Sequence, residues 1–426
     1  MNERLLQFIW QYSLYSPAAL KTADREPVVI VHPGKRNTDA GPDFSEAKIK
    51  IGNTTLIGNI ELHVRASDWK KHRHDKDHAY RNIILHVVYE DDKNQPTQGF
   101  PKLVLKEHIA DHIIEQYTSL IQTPRAIPCA TQLSIINSFV KEGFLTRLLV
   151  ERWEEKLAEW SNLLDQSRGD WSTLLYWRLA YNFGFKVNAA PFLQLAQSIP
   201  WNLYAKHKGQ LLQVEALLFG QAGMLDESFE DEYPRRLQQE YLYLKAKYKL
   251  TPLKKHQWKF LRLRPANFAT IRIAQFAALI HQSMHLFSQI IETTSLITMR
   301  KLLNVTASDY WSNHYRFDEI HEKSSKKKLG ALSIDNLIIN TIAPLQFLFA
   351  RHVRRLPEQE KALALLNEVP AEKNNILTLW NNNGWHAENA AQSQALLQLY
   401  NNYCTGKKCL ECTIGLGIIK ASEKLP

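Results

Sequence analysis

Strand signal in this chain is confined to its first ninety residues. Four short β-branched runs, Pro27–His32, Ser45–Ile51, Thr55–Val64 and Asn82–Tyr89, are each bounded by Gly, Pro, Asn or Asp. From Asn137 onward the apolar residues recur at helical spacing, in segments such as Val140–Asp165, Trp171–Phe183 and Phe268–Phe287 that end at Pro, Gly or Asn-rich turns. This asymmetry predicts an α+β protein, with an α/β domain over residues 1–128 and a mostly helical region over 129–426. A length of 426 residues suits two or three domains, each with its own core. In the front domain a first helix over Leu5–Tyr12, with Glu3 near its start, precedes three strands, a polar excursion over Asp68–Arg81, a fourth strand and a helix over Lys106–Gln122.

Charge divides along the same line. Most of the formal excess of +10 falls after residue 128, and half of the 16 histidines fall before it. Five of those, His63, His72, His74, His78 and His86, lie close together in sequence. The N-terminus has no basic stretch followed by a continuous apolar one, and the longest apolar run, Leu337–Ala350, is too short to span a bilayer. These features predict a soluble cytoplasmic protein with no membrane partner.

The chemistry concentrates at Gly41-Pro42-Asp43-Phe44 and Glu61-Leu62-His63. Asp43 enters one predicted strand, and Glu61 and His63 share a face of the next, because side chains two apart point the same way. A hairpin turn at Gly52–Asn53 would bring Asp43 beside Glu61. Two converging carboxylates suit Mg²⁺ or Mn²⁺, and His63 would assist an attacking water. His86 would either face the same site or be a core histidine. A second option takes His72, His74, Asp75 and Asp77, with His63 and His86, as a Zn²⁺ or Mn²⁺ site.

This pattern resembles the PD-(D/E)XK nuclease superfamily over roughly residues 1–90. The resemblance implies a restriction-endonuclease-like α/β core, with metal on Asp43 and Glu61 and hydrolysis of DNA or RNA phosphodiesters. His63 stands where that superfamily has lysine, so Lys48 or Lys50 would supply the positive charge, and Glu3 matches an extra carboxylate from the first helix. A non-catalytic nucleic-acid-binding scaffold on a decayed nuclease core is the alternative. The chain also resembles a family of uncharacterised bacterial proteins, through His63–Trp69, the His72/His74 segment, Ile84–Val88, Arg262–Phe268 and the C-terminal cysteines.

Cys404, Cys409 and Cys412 have C-x4-C-x2-C spacing, and Cys129 is the remaining cysteine. Four cysteines in a 1 + 3 arrangement suit Zn²⁺ or a [4Fe–4S] cluster, with His386 a rival fourth ligand. Some nucleases of the superfamily carry an iron–sulfur staple with one distant cysteine and three near the C-terminus, although there the distant one precedes the core. Between Lys245 and Arg272 the chain has no acidic residue. Lys254, Lys255, Lys259, Arg262, Arg264 and Arg272, interleaved with Tyr248, Trp258, Phe260 and Phe268, have the composition of a phosphate-backbone surface with rings for stacking.

Overall fold

In the computed structural model, which describes residues 1–93 and 99–421, the chain opens with helix α1 (Glu3–Gln11). The Asn2 side chain caps it by accepting from the Leu5 N–H at 2.8 Å. Leu5, Leu6, Phe8 and Ile9 are spaced to share one face, and all are buried. Strands β1 (Val28–His32), β2 (Lys35–Arg36), β3 (Phe44–Ile51) and β4 (Thr54–Arg65) follow, and α1 packs on β4.

The turn between β3 and β4 is the two-residue Gly52–Asn53 connection, closed by the Ile51–Thr54 pair, with Gly52 at φ 56°. After β4 come helix α2 (Asp68–Lys71), two 3₁₀ turns, strand β5 (Ile83–Glu90), strand β6 (Lys102–Val104) and helix α3 (Asp111–Gln122). Across the sheet the order is β1-β3-β4-β5-β6, with β2 pairing the start of β3. The first three strands of that order run antiparallel, while β5 and β6 continue parallel to β4. The crossover containing α2 permits the parallel pairing, since a tight turn cannot make one.

Two local features set the register near Asp43. The β3–β4 register shifts between Phe44 and Ala47, with Glu46 in the left-handed region at φ 55°. This bulge twists the start of β3 so that Phe44 opposes Ile60 and Asp43 comes beside Glu61. On β4, a Cβ at Gly58 would lie 2.5 Å from Ile84 Cγ2 and 2.9 Å from the Asn82 carbonyl, so glycine there lets β5 approach. Residues Ile60 to His63 are all buried, because both faces of β4 are covered.

The chain divides into two units. Unit 1 comprises residues 1–144, 379–385 and 397–426, and unit 2 comprises 145–378 and 386–396. The C-terminal cysteines therefore belong with the sheet and not with the helical region in which the sequence division at 128/129 puts them. Unit 2 is helical around Trp153, Trp160, Phe183, Phe192, Phe219, Phe276 and Trp311. Its helix Ala269–Gln282 is buried from Ala269 through Ile280.

Several short elements differ from the sequence expectation. Strands β2 and β6 and a small hairpin in unit 2, β7 (His314–Arg316) with β8 (Glu319–Ile320), are too short to show an alternating pattern. The predicted helix Phe268–Phe287 ends at Gln282, with His285 at φ 53° before the next helix. The apolar run Leu337–Ala350 lies within a continuous helix, Ala331–His352, of 22 residues. By length and composition that helix could cross a membrane, contrary to the expectation from the run alone, yet 72% of its most apolar window is buried inside unit 2.

Candidate metal centre and basic segment

Asp43 and Glu61 interlock. The Asp43 N–H donates to Glu61 Oε2 at 3.0 Å, and Asp43 Oδ2 accepts from the Leu62 N–H at 3.0 Å. Asp43 Oδ1 accepts from Gln7 Nε2 of α1 at 2.7 Å, and Gln7 Oε1 in turn accepts from Arg36. Both Asp43 oxygens are thus engaged, whereas Glu61 keeps Oε1 turned elsewhere.

That oxygen faces imidazoles. Glu61 Oε1 lies 3.3 Å from His74 Nε2 and 3.7 Å from His63 Nε2. His63 Nε2 also lies 3.2 Å from His72 Nδ1. One ring nitrogen from each of His63, His72 and His74 falls within 4.8 Å of the other two. Behind them, His63 Nδ1 is 2.9 Å from His86 Nε2, and both rings are fully buried. Trp69 contacts His63, His74 and His86 with its ring, and Tyr80 covers His74 at a centroid separation of 3.9 Å. The centre is closed on the sheet side and reaches solvent at exposed His72.

Burial sets the protonation of these groups. It raises the Asp43 and Glu61 carboxyls above the ordinary carboxylate range, and the Asp43 charge raises Glu61 further. Glu3, itself raised by burial, is close enough to push both upward. Burial acts in the opposite sense on imidazoles. It holds His63 down at about 2, with the His86 charge adding to the effect, and His86 at about 3, with Lys102 adding. His74 is lowered for the same first reason.

Neutral imidazole is the form that binds metal. A metal on His63 Nε2 requires hydrogen on Nδ1, and the contact to His86 Nε2 receives it. His86 is thus a supporting group behind His63, and its own Nδ1 is buried without a hydrogen-bond partner among the described residues.

The structure separates other expected members from this group. Lys48 is exposed and pairs with Ile57, four residues before Glu61, roughly 13 Å away at the strand rise. Lys50 is further still. Neither supplies charge to the centre, because the strand carries them away from it. Lys102, which the sequence argument passed over, is a buried cation opposite His86 and paired with Asp91. Asp75 and Asp77 stand outside the group of converging ring nitrogens, Asp77 accepting from the Ala79 N–H as a cap, although both charges act on His74. The sequence signal for His72 and His74 was their His-x-His spacing, but nothing local showed that the crossover would fold them over Glu61.

In unit 2 the basic segment is a surface loop between the helices Glu232–Tyr248 and Ala269–Gln282, broken by two 3₁₀ turns. Lys254, Lys259, Arg262 and Arg264 are exposed, and exposed Lys255 pairs with Glu227. Arg272 does not belong to this surface. It is buried, donating to Gln275 Oε1 at 2.9 Å, Asn267 Oδ1 at 2.6 Å and Ser333 Oγ at 3.2 Å, over the Phe185 ring. Trp258 is also interior, its Nε1–H donating to the Ala222 carbonyl at 2.8 Å, so it is no stacking platform. Phe260 and Phe268 pack edge to face beneath Arg316, and half-buried Tyr248 meets His207.

No curated protein and no solved structure matches the chain. A family match covers residues 3–375, including the whole His-rich centre and the basic loop but ending before Cys404. With that span, the chain belongs to the family described as protein of unknown function (DUF2851).

Proposed function

We propose that this protein is a divalent-metal-dependent hydrolase of DNA or RNA phosphodiesters, with its metal held by Glu61, His63, His72 and His74 beside Asp43. The observation that carries this is the second oxygen of Glu61: Oε1 turns toward His63 Nε2 and His74 Nε2, two members of a group of three imidazoles that converge on one another. One carboxylate oxygen with three imidazole nitrogens suits Mn²⁺ or Zn²⁺. It fits Mg²⁺ poorly, because Mg²⁺ prefers an all-oxygen shell.

A nuclease is favoured over other hydrolases by two supports. In chain order a helix is followed by the four strands β1 to β4, a crossover and the parallel strand β5, with Asp43 just before β3 and Glu61 on the neighbouring β4. The exposed Lys254, Lys259, Arg262 and Arg264 offer contacts of the kind a phosphate backbone uses.

A divalent cation bound here would polarise a phosphate oxygen and offset its developing charge. The chain's own part is positional. The Asp43 N–H fixes Glu61, Gln7 and the Leu62 N–H fix Asp43, and His86 orients His63. His72, open to solvent, touches His63 and forms the outer edge of the group.

The test is cleavage of single-stranded, duplex and branched DNA and RNA with Mn²⁺, Zn²⁺ or Mg²⁺. Activity should be lost in Asp43→Ala and Glu61→Ala while the circular dichroism spectrum is kept. The second reading, a non-catalytic nucleic-acid-binding scaffold, draws on the separation of Lys48 from the carboxylates. It expects salt-dependent binding that survives both substitutions and no cleavage with any metal.

A further inference from the structure

We infer that Cys129, Cys404, Cys409 and Cys412 form one tetrathiolate metal centre, separate from the histidine centre and independent of the proposed activity. The four stand as thiols, all buried and each no more than 9% exposed. They line a single small cavity of about 20 Å³, walled by Leu120, Trp380, Leu399 and Ile414. Among the described residues no histidine lines it.

The local elements place the four residues around that cavity. Cys129 starts the 3₁₀ turn Ala130–Ile135, directly after Pro128. Cys404 ends a π-helical turn, Leu399–Cys404, in which the Thr405 N–H reaches back to the Tyr400 carbonyl at 3.0 Å. Such turns rotate a side chain out of its helical position, and they recur at functional sites. The chain then reverses through Lys407 at φ 48°, and Cys412 starts the helix Thr413–Lys420.

Lys407 Nζ donates to the carbonyls of Ile121 and Thr123, tying this knuckle to the end of α3, a few residues before Cys129. At Gly415 an added Cβ would sit 2.0 Å from the Cys409 carbonyl oxygen, so the helix can press on the knuckle only with glycine there.

Burial, reinforced by the neighbouring sulfurs, pushes Cys129 up to about 12 and Cys409 up to about 11, with Cys404 raised as well. Unmetallated, these groups are thiols whose mutual repulsion opposes ionisation. A thiophilic cation supplies the charge that turns them into thiolates, and binding it releases their protons to water. Four thiolates from both ends of the chain serve a single Zn²⁺ ion or an iron–sulfur cluster, and both share this ligation.

Full-length protein purified without oxygen would be assayed for zinc, iron and labile sulfide. The same assay on the His72→Ala/His74→Ala double variant, which keeps all four thiols, removes any contribution from the histidine centre. About one zinc per chain in a colourless protein supports the proposal. About four irons with labile sulfide and a brown charge-transfer absorption support it equally and identify the cluster. Metal at less than about a tenth of either amount overturns it.

Cys129→Ser and Cys404→Ser should each lower the retained metal at least about tenfold, and Cys129→His should keep zinc, since histidine is also a zinc ligand. Metal content unchanged in Cys129→Ser overturns the shared centre. Should the serine variants not fold, thiol alkylation of the native wild type decides. Cysteines protected until a strong chelator is added support the centre, and reactivity that a chelator leaves unchanged overturns it.

Discussion

Glu61 Oε2 accepts the Asp43 main-chain N–H at 3.0 Å, which leaves Oε1 to face His74 Nε2 at 3.3 Å. The two oxygens of one carboxylate thus have different tasks. One is held by the backbone at the mouth of β3, and the other points into a cluster of neutral imidazoles. A carboxylate held this way loses little freedom when it binds a cation, which is the preorganisation a metal site requires.

His86 reaches the centre only through His63. Replacing it with alanine should weaken Mn²⁺ or Zn²⁺ affinity by about 10–100-fold, the usual cost of removing a group that orients a ligand. His86→Gln, which keeps a hydrogen-bond acceptor, should recover part of that loss. Isothermal titration at constant pH measures both, and unchanged affinity in His86→Ala would remove it from the centre.

Arg272 and the exposed basic residues should separate cleanly. Arg272→Ala leaves Asn267 and Gln275 short of a donor inside unit 2 and opens a space over Phe185, so it should cost about 2–4 kcal/mol in urea unfolding. Lys259→Ala and Arg264→Ala should each stay within about 0.5 kcal/mol of the wild type.

The exposed residues should matter for binding instead. Combining Lys254→Ala, Lys259→Ala, Arg262→Ala and Arg264→Ala should weaken nucleic-acid binding across sequences, and should lower the slope of log affinity against log salt by about 1 per lost phosphate contact. Fluorescence anisotropy at several salt concentrations gives that slope. An unchanged slope would take the loop out of the interface.

Glu215 offers a pH test free of metal. Its carboxyl is buried in unit 2, accepts from Ser308 Oγ at 2.6 Å, and burial raises it from 4.5 to about 7. Between those values the folded state holds a proton that the unfolded state has released, so stability falls as pH rises from 4.5 to 7 and then levels. The decline amounts to about 3 kcal/mol. Glu215→Gln should abolish it, so the variant gains on the wild type at pH 8 relative to pH 5. Thermal unfolding at the two pH values checks this.

The backbone plan near the centre was legible because its signals are local. The Gly52–Asn53 turn, the β-branched runs on either side and the two-residue spacing of Glu61 and His63 depend on neighbours in sequence. Strand β6, Lys102 beside His86, and the hairpin of β7 and β8 were not legible. Segments of two or three residues carry no period, and a buried lysine looks like any other until its partner is known. Composition likewise assigned Arg272 and Trp258 to a binding surface, since a count of charges and rings does not say which of them a helix turns inward.

By itself the sequence determined that the long strands fall in the first ninety residues with helices dominating after them, that Asp43 stands at the start of the strand beside that of Glu61, and that three cysteines share one turn. Those properties follow from side-chain periodicity and turn chemistry, which act over a few residues. The tertiary structure alone decided that the α2 crossover lays His74 against Glu61 with His72 beside His63, that Lys48 lies too far along its strand to help, and that Cys129 lines the same cavity as Cys404, Cys409 and Cys412. Each of these depends on which distant surfaces exclude water together. That exclusion is set by packing between segments far apart in sequence, and no local pattern encodes it.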